Sequence, residues 1–551
     1  MRSRARKDLS LLRLGRAGLQ GRVSSANFEV PALRPLTAAP EEISLPLLAA
    51  GLKACPEPAE GACSTRWLLP LLLAVVLSFA GCVVGPKYKV PTAPVPPAYK
   101  EMGEWKTAQP SDQNLGGNWW ELFGDPQLNT LEQQINVSNQ NIKAAVAQYQ
   151  QARAVLRYYR ADYYPTITAG ASASRNRYSN NRPPATSIFD GITYNDFTIP
   201  VQLSYETNAF GRVTRNVESY RAQAQASSAD LAVVSLSMHA DLAVDYFAAR
   251  TLDAEEKLLQ DNVAQYEQAF ELNTDLYQGG LASEVEVEQA KTILETTRAE
   301  AVDVGVARAQ YEHAAAVLLG KPPAEFTLPP LPLTTPPPPI PVGVPSELLE
   351  RRPDIAAAER LVASANAQIG LAKAAYYPLI NITAEGGLES GAITTLFQGP
   401  SALWSVGAAA AQTIFDAGRR RAATDEAIQG HDYAVASYRQ TVLTAFQQVE
   451  DNLAALRILQ QEAGIQDQAV QAAQRSLDLS NVRYQGGVTS YLEVIVAQNT
   501  ALSDEVTAVN ILGRRMASAV DLIQALGGGW DRTELPQRPE CCGKLASNHA
   551  P

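Results

Sequence analysis

Residues 277–283 read Tyr-Gln-Gly-Gly-Leu-Ala-Ser, and residues 484–490 read Tyr-Gln-Gly-Gly-Val-Thr-Ser. A glycine after a helix relieves the left-handed turn that ends it, and the serine that follows is a favourable cap for the next helix. Each serine also has a glutamate three residues later, Glu286 in the first copy and Glu493 in the second, which is the capping-box pattern. The two heptapeptides therefore predict two helical hairpins that share one kind of turn.

Two other landmarks recur in the same order and at nearly constant spacing. They are Tyr163-Tyr164-Pro165 with Tyr376-Tyr377-Pro378, and Phe210-Gly211-Arg212 with Phe415-Asp416-Ala417-Gly418-Arg419. Recurrence of this kind indicates an internal repeat. The sequence therefore predicts two structural repeats, residues 125–328 and residues 346–527. The Pro-rich residues 329–345 between them are predicted to form an extended, semi-rigid linker.

Each repeat is predicted to run helix, strand, strand, long helix, turn, helix. The first helix begins with Asp125 as its N-cap and Pro126 at its first position, and extends to about Ala161. Proline-free stretches from about 213 to 277 and from about 419 to 484 predict two very long helices. At 1.5 Å per residue, ~65 residues span roughly 95 Å, so these helices must pack side by side with others.

One face of the second long helix carries an apolar stripe with steps of three and four residues. Its members are Tyr438, Val442, Phe446, Val449, Leu453 and Leu456. The other positions are mostly Ala, Gln, Ser and Asp, which predicts close helix packing and a second face in contact with water. On the helices alone, an ordinary coiled coil remains an equally good interpretation.

The predicted strands alternate between apolar and polar residues, which gives a sheet with one apolar face. The apolar sets are Phe197, Ile199, Val201, Leu203 and Tyr205; Ile380, Ile382, Ala384 and Leu388; and Ile167, Ala169, Ala171 and Ala173. A fourth segment, 404–415, alternates poorly. Such segments suit either a transmembrane β-barrel or a soluble half-buried sheet.

Aromatic residues favour the barrel. Tyr163, Tyr164, Phe210, Tyr376, Tyr377 and Phe415 all fall at predicted strand–helix junctions. Aromatic side chains at one depth are typical of a membrane interface. Four strands cannot close a barrel, and lipid does not tolerate open strand edges, so the chain must oligomerise. Two copies would supply eight strands and three would supply twelve, and both numbers remain open at this point.

Composition excludes several classes of function. The 551 residues carry a formal net charge of -11 without a basic patch, which argues against a nucleic-acid partner. The four histidines are scattered and the five cysteines lie near the chain ends, so neither a metal centre nor a disulfide framework is predicted in the body. The common catalytic motifs are missing, so we predict no enzyme activity and no cofactor.

The N-terminal region is predicted to be a targeting segment. Arg66 precedes a short apolar run, 67–81, that ends Ser-Phe-Ala-Gly before Cys82. Small residues before a cysteine indicate a lipoprotein signal, with Cys82 acylated as the first mature residue; Phe79 departs from the usual leucine. A plain signal peptide is the alternative. Residues 1–81 are predicted to be leader and lipoprotein signal. Residues 1–63 are interpreted as a spurious extension, with translation starting near Ser64, and a long unstructured leader is the alternative.

Two further segments complete the predicted organisation. Residues 82–124 are predicted to form an N-terminal extended segment, with Trp119 and Trp120 as packing residues. Residues 528–551 are predicted to form a flexible C-terminal tail.

The chain resembles the TolC-like outer membrane efflux family, in its NodT-like lipoprotein branch, from about residue 86 to residue 526. The resemblance rests on the motifs Trp119-Trp120, Phe123-Gly124-Asp125-Pro126-Gln127-Leu128, Glu350-Arg351-Arg352-Pro353-Asp354-Ile355 and the paired Gly-Gly turns. It implies a homotrimer in which each chain gives four strands to a twelve-stranded outer membrane β-barrel and long helices to a periplasmic α-helical barrel.

The resemblance also implies the function and the partners. The expected role is the exit duct of a tripartite efflux system, lipid-anchored in the outer membrane, without catalysis. The expected partners are a periplasmic adaptor protein and an inner membrane pump of the RND type. A periplasmic adaptor and an enzyme are the alternatives; an adaptor should carry a single helical hairpin flanked by small β domains.

The two turns would form the periplasmic tip under this resemblance. Gly279, Gly280, Gly486 and Gly487 are then the candidates for adaptor contact, because backbone at a tip is exposed. Glu493 falls where the family places an acidic ring at the aperture, and Val496 stands where the family has a second acid. A pore role for Glu493 competes with its role as a helix cap.

Overall fold

The computed structural model describes residues 83–101, 118–179, 191–340, 342–343 and 345–536. Chain contacts separate Met1–Leu69 from Pro70–Pro551, and every described residue belongs to the second of these units. The predicted leader and signal peptide, and the predicted acylation site Cys82, lie outside the described residues.

Helices account for most of the described chain. In the first half they are α1 Pro126–Ser138, α2 Gln140–Arg160, α3 Arg212–Gln278 and α4 Glu284–Leu318. In the second half, after the single helical turn Leu348–Arg351, they are α5 Pro353–Ala374, α6 Arg419–Gln485 and α7 Tyr491–Ala525. The helices α3 and α6 each have 67 residues, and α4 and α7 each have 35. The long helices lie where proline-free sequence predicted them, and each is about 100 Å long.

The first predicted helix is correct at its start and wrong in its continuity. Asp125 caps α1 by accepting hydrogen bonds from the backbone N–H groups of Gln127 and Leu128. The chain then leaves the helical conformation at Asn139, whose side-chain oxygen caps α2 at Ile142. The Asn139 amide also donates to the carbonyl of Leu318 at 2.7 Å, so this break fastens the first helices to the end of α4.

The strands form one antiparallel sheet. They are β1 Thr166–Ala169, β2 Ser172–Arg177, β3 Thr193–Glu206, β4 Leu379–Ser390 and β5 Ala402–Ala411. The pairing order is β1-β3-β4-β5, with β2 also on β3. Within the described chain, the outer edges of β1, β2 and β5 have no partner strand.

The alternating segment predicted near residues 167–173 is divided into β1 and β2 by a proline on the neighbouring strand. The register is continuous, because Ala169 lies opposite Val201 and Ser172 lies opposite Thr198. Pro200 faces the gap and has no N–H group to donate, so the ladder is interrupted there. On its other side Pro200 pairs with Gly387, where a Cβ would lie only 2.3 Å from a backbone oxygen of β3.

The largest apolar core joins the short first helices to the middle of the long ones. Trp119 and Trp120 are buried in it and meet edge to face at 5.7 Å, so their predicted packing role is confirmed. Trp120 stacks on the ring of His239 at 4.6 Å, and His239 Nδ1 lies 2.6 Å from the carboxyl group of Glu132. Burial raises the pKa of Glu132 to about 9 and lowers the pKa of His239 to about 4.

The N-terminal segment 83–101 runs along the helices. Val83 lies against Gly211 at the start of α3, and Arg215 donates hydrogen bonds to the carbonyls of Val84 and Gly85. Further along, the backbone N–H groups of Lys100 and Glu101 donate to the carboxylate of Glu450 on α6. The segment therefore follows the helices from the strand–helix junction down to the middle of α6.

Polar contacts hold the Pro-rich linker against the helices. The backbone N–H of Leu331 donates to Asp253 at 2.8 Å, and Arg250 donates to the carbonyl of Pro329. Asp253 also accepts from Arg308 at 2.8 Å. The predicted spacer is thus fixed to α3 over part of its length.

The predicted C-terminal tail needs a correction, because residues 528–536 pack against the body. Leu535 is buried, Arg532 lies 3.0 Å from the carboxylate of Glu359, and Gln225 donates to the carbonyl of Pro536. These contacts attach the C-terminal residues to α3 and α5. The rest of the predicted tail lies outside the described residues.

Candidate functional site

The two Gly-Gly turns have the same backbone geometry. After α3, the N–H of Gly280 donates to the carbonyl of Tyr277, and the N–H of Leu281 donates to the carbonyl of Leu276, five residues earlier. After α6, Gly487 and its successor form the same two bonds, both 2.9 Å long. This pair of hydrogen bonds is the Schellman motif. Only the second glycine of each pair is left-handed, with φ of 72° at Gly280 and 68° at Gly487.

The turns project into open space. All four predicted contact residues, Gly279, Gly280, Gly486 and Gly487, are exposed. The residue after each pair is apolar and exposed: Leu281 keeps 80% of its surface and Val488 keeps 71%. Large apolar side chains left exposed next to a turn are typical of a docking surface. The geometry is compatible with the predicted contact role and does not assign it.

The glutamates after the two turns behave differently. The backbone N–H of Ser283 donates to the carboxylate of Glu286 at 2.9 Å, as the capping box predicts. Glu493 instead directs its carboxylate to the guanidinium of Arg483, across the turn, at 3.3 Å. Among the described residues Ser490 makes no side-chain cap, so the second predicted capping box is not formed. Glu493 and Arg483 are both about half exposed.

A hydrogen bond joins the two helical hairpins near the tip. The hydroxyl group of Tyr484 on α6 donates to the side-chain oxygen of Asn273 on α3 at 2.6 Å. Asn273 is fully buried and its amide donates to the carbonyl of Ala269. The ring of Tyr484 lies 5.2 Å from that of Tyr491, whose pKa burial raises to about 12. This pair ties the hairpin α6–α7 to the hairpin α3–α4.

A groove of about 590 Å³ lies between α4 and α7 beside the turns. Its apolar wall includes Ile293, Ile495 and Leu502. Glu284 and Glu288 line it on the side nearer the turn. The groove therefore combines an apolar surface with acidic groups, which suits an amphipathic helix with basic flanks.

Sequence reasoning missed the partners of the tip residues. Arg483 and Tyr484 come directly before the second Gly-Gly pair, so their position next to the turn was visible. A residue ten positions before Glu493 faces it only because the chain reverses at the turn. Asn273 had no signal of its own, since polar residues are common on these helices.

Comparison with known proteins identifies the family. The family described as "Outer membrane efflux protein" matches residues 131–321 and, a second time, residues 344–528. The chain belongs to the outer membrane efflux protein family. The expected resemblance is thereby confirmed, and the alternative of a periplasmic adaptor is set aside.

Relatives of this outer membrane efflux protein match over nearly their whole length. The probable efflux pump outer membrane protein TtgC of Pseudomonas putida is 33% identical over 473 residues, which cover 85% of this chain and 96% of the relative. The cation efflux system protein CusC of Escherichia coli is 29% identical, with 84% and 99% covered. The solved structure of the outer-membrane channel OprN has a TM-score of 0.76 at 29% identity and covers 82% of this chain and 100% of that one.

Proposed function

We propose that this outer membrane efflux protein is the exit duct of a tripartite efflux system and that it works as a homotrimer. In this arrangement each chain contributes two structural repeats, four strand positions of a twelve-stranded β-barrel, and long helices that form a tunnel in the periplasm. The single observation that carries the proposal is the sheet, which lies at one end of the helices with both outer edges unpaired in the described chain.

The exposure of the strands supports a membrane position. Every residue of β1 and β2 is exposed, and on β5 Trp404 keeps 81% of its surface and Val406 keeps 71%. A soluble sheet of this size would bury one face, whereas an outward apolar face suits lipid. The register also brings the four strand–helix junctions to one end of the sheet. The aromatic residues of those junctions then lie at one depth, as at a membrane interface.

Exposed apolar residues on the helices support contact between subunits. On α4, Val302 keeps 78% of its surface and Val317 keeps 64%, and on α6 Ile465 keeps 70%. Neighbouring subunits would cover these residues in a closed ring. A closed ring also pairs the free strand edges, which is the requirement for insertion into lipid. Three copies are favoured over two by the family resemblance.

The position of Val83 supports a lipid anchor at Cys82. Val83 contacts Gly211, which lies between the end of β3 and the start of α3. The preceding residue would therefore stand at the proposed membrane surface, where acyl chains can enter the bilayer. Cys82→Ser should remove the acyl mass from the mature protein and weaken its retention in outer membrane fractions.

The tip supports docking of an adaptor and an RND-type inner membrane pump. The groove beside α4 and α7 and the exposed residues Leu281 and Val488 would receive the helical tip of the adaptor. In a trimer, the three copies of Glu493 would form an acidic ring near the aperture, with Arg483 as the pairing partner that holds it.

The test is the native mass of the protein extracted in detergent, together with its conductance in a planar bilayer. A detergent-dependent trimer that conducts ions supports the duct, and an intact mass that starts at acylated Cys82 supports the anchor. A water-soluble monomer without conductance would overturn the proposal.

A further inference from the structure

We propose that the outer face of α2, next to the membrane end of the sheet, is a binding site for anionic phospholipid head groups. The inference rests on the proposed function, because it requires the sheet to lie in the outer membrane. The ligand chemistry is a phosphodiester, and the source we commit to is a lipid of the periplasmic leaflet.

The first observation is the charge of α2. The sequence of this chain, with its net charge of -11, predicted no basic patch, and α2 corrects that prediction: the 21-residue helix carries four basic residues, Lys143, Arg153, Arg157 and Arg160, and no acidic residue. Salt bridges near this end of the molecule use other arginines, namely Arg212, Arg215 and Arg420. Arg153, Arg157 and Arg160 are left without an acidic partner among the described residues. Their guanidinium groups are thus available to an anion.

The second observation is a cavity of about 390 Å³ lined by these three arginines and by Arg221 of α3, together with Tyr149, Leu156, Ala224, Gln225 and Pro536. Arg153 also lies over the ring of Tyr149, 5.7 Å from its centre. Guanidinium groups bind phosphate oxygens in a two-pronged geometry, and arginines grouped in a basic pocket are a known form of lipid head-group site. The cavity therefore has both the charge and the size for a glycerophosphate group.

The third observation is the position of the three arginines along the membrane normal, relative to the strands. Helix α2 ends at Arg160, and the chain enters β1 at Thr166. By the helix rise, Arg157 lies about 4.5 Å and Arg153 about 10 Å further from the strands than Arg160. The polar layer of a bilayer is about 5–8 Å thick on each side. With Arg160 at the inner edge of this layer, Arg157 falls within it, and Arg153 lies just beyond it, within reach of its own long side chain.

The cavity also lies on the face that carries the N-terminal segment. Arg360 stands over the ring of Tyr88 in that segment and reaches Gln225 with another nitrogen. Gln225 donates to the carbonyl of Pro536, which lines the cavity. A segment that begins at a lipid anchor runs outside the barrel, so the arginines face the bilayer surface rather than the lumen.

Basic residues mark the other strand–helix junctions as well. Arg212 begins α3, Lys373 lies next to the end of α5, and Arg419, Arg420 and Arg421 begin α6. All of these positions lie on the helix side of the junction aromatic residues. The α2 cavity is therefore the most developed part of a basic belt that fits the head groups of the inner leaflet.

The experiment uses the full-length trimer in neutral detergent, with bound lipid counted by native mass spectrometry. Phosphatidylglycerol is added in one arm, phosphatidylethanolamine in a second, and phosphatidylglycerol with inorganic phosphate in a third. The wild-type protein should retain phosphatidylglycerol selectively. Each arginine near an anionic surface is worth about a fivefold change in binding constant, so Arg153→Gln/Arg157→Gln/Arg160→Gln should bind at least about tenfold more weakly.

Two variants control for charge and for fold. Lys291→Gln/Arg475→Gln removes two exposed positive charges far from the strands and should bind like the wild type. The triple Arg→Lys variant keeps the charge and should restore most of the binding.

Three results would overturn the inference. They are equal lipid retention by the triple Gln variant, displacement of phosphatidylglycerol by phosphate alone, and loss of the trimer in that variant, which would assign the arginines to contacts between subunits. Conductance is measured on the same samples. A conducting trimer without lipid selectivity refutes only the lipid site, whereas absence of a conducting trimer in the wild type refutes the proposed function.

Discussion

The hydrogen bond between Tyr484 and Asn273 offers the sharpest test of whether contact between the two hairpins holds the proposed aperture closed. Tyr484→Phe removes the hydroxyl group and keeps the ring, so the contact with Tyr491 is preserved. A neutral hydrogen bond contributes about 0.5–1.5 kcal/mol net, and here the loss also leaves the buried Asn273 acceptor unpaired. If three subunits open together, the closed state loses about 1.5–4.5 kcal/mol, which favours the open state about 10-fold to 2,000-fold.

The assay is single-channel conductance of the purified protein in planar bilayers, with uptake of large antibiotics by whole cells as a second readout. Tyr484→Phe should raise both the mean conductance and the uptake. Tyr433→Phe is the matched control, because Tyr433 is 77% exposed on the same helix and should leave both unchanged. If Tyr484→Phe folds with the wild-type helix content and conducts no more than Tyr433→Phe, the hairpin bond does not hold the tip closed.

Three further predictions concern the tip and the core. Glu493→Ala removes an exposed ion pair worth about 0.2–1 kcal/mol per subunit and should raise conductance by a smaller factor; unchanged conductance would exclude a gating role. Gly487→Ala forces a side chain into a left-handed turn and should cost about 1–2 kcal/mol in thermal unfolding, whereas Gly464→Ala, inside a helix with open space around it, should not destabilise. Burial raises the pKa of Glu132 in the folded protein to about 9, so the folded state holds a proton that the unfolded state releases. The free energy of unfolding therefore falls as pH rises towards 9. The lowered pKa of His239 has the opposite effect and raises the free energy of unfolding between about pH 4 and 6.5. The net loss of stability therefore falls between about pH 6.5 and 9 and amounts to at most about 3 kcal/mol. Glu132→Gln should give a melting temperature that is flat over that window, and a wild-type profile equally flat would contradict the assignment.

The long helices could be predicted because residues close to each end in the sequence determine where they begin and end. The proline-free run that ends at the first Gly-Gly pair predicted a helix over 213–277, and the structure has Arg212–Gln278. The alternating residues of β3 were equally visible, since a two-residue period depends only on neighbours along the chain.

The features that sequence reasoning missed depend on contacts between distant residues. Asn139 breaks the first helix, yet an asparagine inside a helical pattern is unremarkable; its bond to Leu318 joins residues 179 positions apart. Pro200 interrupts a ladder on the strand opposite, so its effect appears in β1 and β2 rather than in its own strand. The ion pair of Glu493 required the geometry of the turn, which places Arg483 across from it.

The contact between Val83 and Gly211 leaves no free polypeptide between the proposed acyl chains and the folded body. A lipid anchor joined to the folded body without a flexible linker would hold each new subunit at one height and one orientation on the bilayer surface. Subunits would then meet by diffusion in two dimensions, where confinement raises their effective concentration. The rate of ring closure should accordingly follow the surface density of anchored chains. Subunits that lack the anchor would spend longer with the edges of β1 and β5 unpaired, which is the condition under which strands associate wrongly.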